Sequence, residues 1–121
     1  MQNAHPILVV DDDHDLRETL GELLLEEGYP TRLFENGRRA LEFLRDGGDD
    51  PRLILLDLMM PEMNGWQFRE EQLKDARLRE IPVVVMTASR GPDSQSIQAS
   101  EVLYKPIGLG QLMEAVERNL R

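Results

Sequence analysis

Arg52-Leu53-Ile54-Leu55-Leu56-Asp57-Leu58-Met59-Met60-Pro61 sets four consecutive apolar residues directly before an aspartate. A run of that length is too short for an ordinary helix and suits a strand buried on both faces of a parallel sheet. Asp57 then ends the strand. Met60-Pro61 blocks helical continuation, because proline restricts the residue before it, and Asn64-Gly65 gives a second turn signal ahead of Trp66. The stretch therefore holds a carboxylate at the rim of a sheet, where open α/β sheets bind their ligands.

The bounds around this strand are simple. A chain of 121 residues has the length of one domain and can bury one core without staples. It has no cysteine, so neither a disulfide framework nor a thiolate site is available, and a reducing cytoplasmic setting is the expectation. No apolar run approaches the ~18 residues of a membrane span, and the N-terminus has no basic segment followed by a long apolar one. The formal net charge of −9 argues against nucleic-acid contact, which needs clustered Lys and Arg. It fits a well-solvated surface.

In chain order, apolar runs alternate with amphipathic stretches, the pattern of βα units. Ile7-Leu8-Val9-Val10 is a first buried strand ending in Asp11-Asp12-Asp13. A helix from Asp13 or His14 to Glu27 carries Leu16, Leu20, Leu23 and Leu24 at helical spacing, and Gly28 stops it. Thr31 to Glu35 is a more polar edge strand. Asn36-Gly37 opens a helix with Ala40, Leu41 and Leu44 inward, and a loop rich in Gly and Asp follows. Beyond the Asp57 strand, a helix from about Gly65 to Arg77 carries Trp66, Phe68, Leu73 and Ala76. Pro82 to Thr87 is the fourth strand. Gly91-Pro92 breaks the chain and leaves Ser94 to Ala99 for a short fourth helix. Val102-Leu103-Tyr104 is the fifth strand, and a final helix places Leu109, Leu112, Met113, Val116 and Leu120 on one face. The reading is an α/β doubly wound sheet in the order 2-1-3-4-5 with five helices.

In that order strands 1, 3, 4 and 5 are neighbours, roughly 4.8 Å apart, so Asp11, Asp12, Asp57, Thr87 and Lys105 gather at one rim. Carboxylates ~5 Å apart at an effective dielectric near 20 repel by roughly 3 kcal/mol per pair, so the rim calls for a cation or a proton. Oxygen ligands at an open position favour Mg²⁺ over zinc. Phosphoryl transfer to a carboxylate needs these residue types: an ionised Asp, a metal bridging protein and phosphoryl oxygens, and a lysine and a hydroxyl for the remaining oxygens.

With these residues in hand, the chain resembles the receiver domain of two-component response regulators, such as the single-domain chemotaxis regulator. The resemblance runs from Ile7 to Leu120 and rests on Asp11-Asp12 after Val9-Val10, Asp57 with Met60-Pro61 and Asn64-Gly65, Met86-Thr87-Ala88, and Lys105-Pro106. It implies a flavodoxin-like (βα)5 three-layer sandwich and one receiver domain over residues 1–121. Asp57 would accept phosphate from a histidine kinase or histidine phosphotransfer protein, and the phosphorylated domain would act on a downstream protein effector. Asp12, Asp57 and the Met59 backbone carbonyl would bind Mg²⁺ directly, Asp11 mostly through water, while Thr87 and Lys105 would contact the phosphoryl oxygens. Its catalysis would be confined to its own phosphorylation and dephosphorylation. Met59 and Ser89, two residues beyond Asp57 and Thr87, would flank the hydrolytic water and orient it poorly, which implies slow self-dephosphorylation.

Two positions depart from the family pattern. The family commonly has a Tyr or Phe three residues before the lysine, where this chain has Val102, its aromatic being Tyr104. Lys105 follows Thr87 by 18 positions, fewer than the family usually has. Other readings fit less well. Asp11, Asp13, Asp15 and Glu22 mimic a calcium EF-hand loop, but Leu16 replaces the turn glycine. Asp11-Asp12-Asp13 mimics the nucleophile motif of haloacid-dehalogenase-type phosphatases, but Asp15 stands where that motif has Thr or Val. A receiver-like interaction module that is never phosphorylated is the remaining alternative. His5 and His14 show no metal spacing. Donor docking is expected at the start of the first helix and the Lys105-Pro106-Ile107 loop, with Leu16 and Ile107 as apolar contacts beside His14 and Arg17.

Overall fold

A computed structural model describes residues 5–47, 50–89, 91 and 97–120. Its strands are β1 (Ile7–Val10), β2 (Thr31–Phe34), β3 (Leu53–Asp57), β4 (Val83–Thr87) and β5 (Glu101–Tyr104). All pair in parallel, in the order β2-β1-β3-β4-β5. The helices among the described residues are α1 (His14–Glu26), α2 (Gly37–Arg45), α3 (Gly65–Lys74) and α4 (Leu109–Asn119). None of them is long and apolar enough to cross a membrane.

Alternation along the strands sorts the core into two layers. Leu8, Val10, Ile54, Leu56, Val83 and Val85 pack with Ala40, Leu41 and Leu44 of α2 and Phe68 of α3. Ile7, Val9, Leu53, Leu55, Val84, Met86 and Leu103 pack with Leu20 and Leu24 of α1 and Leu112, Ala115 and Val116 of α4. The three central strands are buried along their whole length, as covering on both faces requires. The partial exposure of β2 matches its edge position.

Local signals explain the helix starts. Asp13 caps α1 by accepting from the Leu16 N–H at 3.1 Å, and Asn36 caps α2 by accepting from the Arg39 N–H at 2.9 Å. At α3, Asn64 and Gln67 exchange bonds in a capping box.

The structure corrects the sequence reading at several elements. Helix α3 ends at Lys74 rather than Arg77, because Asp75 turns extended and its carboxylate accepts from the Arg77 and Leu78 N–H groups, starting a new turn. Leu73 is half-buried and Ala76 exposed, while Gln72 is fully buried in their place. Leu109, expected inward, is 52% exposed, and Ala115 is buried instead. Glu27 is the exposed C-cap of α1 rather than part of its last turn. Of the short fourth helix expected over Ser94 to Ala99, residues 94–96 lie outside the described residues, and Ile97 to Ala99 are not helical.

Candidate functional site

Strand register builds the rim one residue at a time. Val10 lies level with Leu56, so the following residues, Asp11 and Asp57, leave the sheet side by side. Asp57 is level with Met86, which puts Thr87 one step higher on β4, and Thr87 is level with Tyr104, which puts Lys105 one step beyond that. By alternation Asp57 continues the side of Leu53 and Leu55, over α1 and α4, whereas Thr87 continues the side of Val83 and Val85.

Asp11, Asp12 and Asp57 each present a carboxylate oxygen within 4.8 Å of the others. They are not equivalent. Asp11 is fully buried; its Oδ1 accepts from the Asp13 N–H at 2.9 Å and its Oδ2 from Lys105 Nζ at 3.0 Å. Asp12 is exposed. Asp57 is buried, with Oδ1 3.4 Å from the Met59 N–H and 3.6 Å from Lys105 Nζ. Thr87 is fully buried, and its hydroxyl oxygen accepts from the Ser89 N–H at 3.0 Å. Asp11, Asp12, Asp57, Thr87 and Lys105 thus lie at the ends of adjacent strands, with the three acids in reach of one another and the lysine in reach of Asp11 and Asp57.

Two backbone features hold the arrangement. Gly65 donates to the Leu58 carbonyl at 2.9 Å, and a Cβ there would stand 2.8 Å from the Asp57 carbonyl oxygen and from the Leu58 Cα. Only glycine lets the start of α3 sit this close to the end of β3. On the other side Lys105 donates its N–H to the Thr87 carbonyl at 2.8 Å, ahead of a cis Lys105–Pro106 bond.

The electrostatics follow from burial. Desolvation first, and the Asp11 charge second, push the Asp57 carboxyl up from its ordinary 3.8 to about 7, against the opposing pull of Lys105 and the Met59 N–H. Burial disfavours the Lys105 ammonium, but the hydrogen bond and charge of Asp11, with the charge of Asp57, outweigh it and raise the pKa. One ammonium among three carboxylates leaves the cluster negative, and its donors are all oxygens, which suits a hard divalent cation. The chemistry open to this arrangement is attack by the Asp57 carboxylate on an electrophile whose negative charge the cation and Lys105 would offset.

Sequence reasoning missed part of the surroundings. Arg17, placed among the docking residues, is half-buried, and its guanidinium donates to the Asp11 carbonyl at 2.7 Å, so it braces the β1–α1 loop. Its proximity was legible only in that one helical turn from the cap brings residue 17 back toward the strand end. Beside the acids, Leu16, Leu20, Leu23, Ile107, Leu109 and Leu112 line a groove of about 330 Å³ between α1 and α4. Leu16 and Ile107 were expected there; Leu109 was not.

Comparison with known proteins gives a consistent picture. The family model described as the response regulator receiver domain matches residues 7–117. The chain is 36% identical over 125 residues to response regulator Rre1 of Synechocystis sp., a match covering 97% of this chain and 52% of that protein. It is 33% identical over 116 residues to the response regulator receiver protein CpdR of Brucella abortus, covering 94% of this chain and 95% of that one. The chain spans about half the length of Rre1 and of the CpxR homolog of Haemophilus influenzae. Among solved structures, the signal receiver domain of a signal transduction histidine kinase from Syntrophus aciditrophicus superimposes with a TM-score of 0.87 at 35% identity, over 97% of this chain and 90% of that one. The response regulator protein TrrA of Thermotoga maritima, solved in complex with Mg²⁺-BeF, gives 0.80 at 33% identity, over 96% of this chain and 99% of that one.

Proposed function

The chain belongs to the response regulator receiver domain family, and from that membership we propose that Asp57 is the residue that takes the phosphoryl group. A carboxylate oxygen of Asp57 attacks the phosphorus of a phosphohistidine carried by a histidine kinase or a histidine phosphotransfer protein. The O–P bond forms as the P–N bond breaks, and the imidazole leaves with the bonding pair and takes up a proton from water. The reading is carried by one observation: a buried carboxylate at a strand end, within reach of two further carboxylates and a lysine.

The other residues then have distinct tasks. Asp12 and Asp57, with the Met59 backbone carbonyl, would hold Mg²⁺, and Asp11, already committed to Lys105 and the Asp13 N–H, would act through water. When bound, the ion offsets the charge of the phosphoryl oxygens. Lys105 exchanges part of its contact with Asp57 for a phosphoryl oxygen, and the Thr87 hydroxyl takes another. The acyl phosphate changes what the domain binds, so its output is a contact with a downstream protein effector. The test is incubation with acetyl phosphate or phosphoramidate plus Mg²⁺, followed by intact mass. Gain of one phosphoryl group, lost in Asp57→Asn, is expected; no gain overturns the assignment and leaves a module that signals by binding alone, and equal gain in the variant overturns it by placing the phosphoryl group on another residue.

A further inference from the structure

Met59 stands out among the methionines of the described residues. Met86 is fully buried, Met60 is 8% exposed, and Met63 and Met113 are half-buried, whereas Met59 is 59% exposed. It is also the residue whose backbone N–H reaches Asp57 Oδ1, so it is fixed at the rim beside that carboxylate with its side chain open to solvent. An apolar, polarisable thioether in so wet a position is unexplained by packing. Solvent access is what makes a methionine sulfur oxidisable, and the sequel is a polar, chiral sulfoxide.

We propose that Met59 is an oxidation site through which a hydroperoxide shortens the life of the phosphorylated state. The sulfur attacks the distal peroxide oxygen; the S–O bond forms as the O–O bond breaks. The sulfur gives up two electrons, and the peroxide is reduced to water, or to the matching alcohol. The product replaces a side chain unable to orient water by one whose S=O oxygen is a strong hydrogen-bond acceptor. Set beside Asp57, that oxygen holds and orients a water for attack on the acyl phosphate, and orientation is what the reduced side chain withholds. The change is reversible by methionine sulfoxide reductases, so it constitutes a second input to the same site. This rests on Asp57 being the phosphoacceptor.

The experiment has two arms. In the first, the unphosphorylated protein is titrated with hydrogen peroxide and its methionines are mapped by peptide mass; Met59 is expected to oxidise well before Met60, Met63, Met86 and Met113. In the second, wild type is phosphorylated with acetyl phosphate, the donor is removed, and decay is followed with and without prior peroxide. Oxidation should shorten the half-life several-fold, reductase treatment should restore it, and Met59→Leu, which has no sulfur at this position, should decay at one rate before and after peroxide. Oxidation of the half-buried methionines first, or an unchanged half-life in the Met59 sulfoxide form, overturns the proposal. Failure of the unoxidised protein to take up phosphate in the second arm overturns the phosphoacceptor reading and the lifetime effect together, and is read separately from the mapping.

Discussion

At Asp57 a carboxyl that must be ionised to act as a nucleophile stands where ionisation is costly. Burial and the neighbouring Asp11 lift its pKa from 3.8 to about 7. A carboxyl raised in this way binds its proton more tightly in the folded chain than in the unfolded one. The stability this contributes is full below 3.8 and is lost as pH rises toward about 7. In a metal chelator, the urea midpoint of wild type should therefore fall over that window, and Asp57→Asn should show a shallower fall and the higher midpoint at pH values above it. Equal slopes would show that the Asp57 proton is not what is lost. A divalent cation can take the proton's place, so Mg²⁺ should raise the melting temperature more above that window than below it. Asp12→Ala should remove most of the gain, because the exposed Asp12 has ligand capacity that Asp11 spends on Lys105. Much of this site was legible in the sequence, since each member follows an apolar run. The inequality of Asp11 and Asp12 was also there to be counted: Ile7, Val9 and Asp11 alternate onto one buried side, and Asp12 falls off it.

At the scale of elements, α3 is where the sequence misled. A helix-face reading assigns glutamine outward, yet Gln72 is fully buried, donating to the Leu78 and Ile81 carbonyls at 2.9 and 3.0 Å and accepting from Arg69 at 2.8 Å. Those carbonyls belong to the turn over residues 75–82 that carries the chain from α3 back to the sheet at Val83, and no helical periodicity records where a loop's carbonyls point. Arg69 also donates to the Gln98 carbonyl, so one network joins α3, the loop after it and the approach to β5. Gln72→Leu preserves volume but strips the Ile81 carbonyl of the Gln72 donor and leaves the Leu78 carbonyl only the Ile81 N–H at 3.1 Å, and should cost about 1–3 kcal/mol for the carbonyl left without a partner, measured by urea unfolding. A near-neutral result would mean that water or a backbone shift restores the bonds. The groove between α1 and α4 gives a second test. Leu109→Asp sets a charge at its exposed edge and should slow phosphoryl transfer from a protein donor while sparing transfer from acetyl phosphate. Equal slowing with both donors would place the defect in the chemistry. Arg17 is unsuited to that test because it also holds the Asp11 carbonyl.

For the molecule as a whole, the sheet order was readable because parallel strands covered on both faces leave near-continuous apolar runs, and such runs tolerate few connections. The connection between β4 and β5 was less readable, since glycine, proline and polar residues there carry no periodic signal. Lys105 and Asp11, which meet at 3.0 Å, are 94 positions apart. This spacing has a consequence for the chain while it is being made. Synthesis proceeds from the N-terminus, and β1 and β3 can pair long before β5 has emerged from the ribosome. Until then the crowded acids face one another with no lysine between them. Docking of β5 is therefore the step that brings the Lys105 ammonium to Asp11 and Asp57, so the charge balance of the rim is completed only with the strand made last among the five.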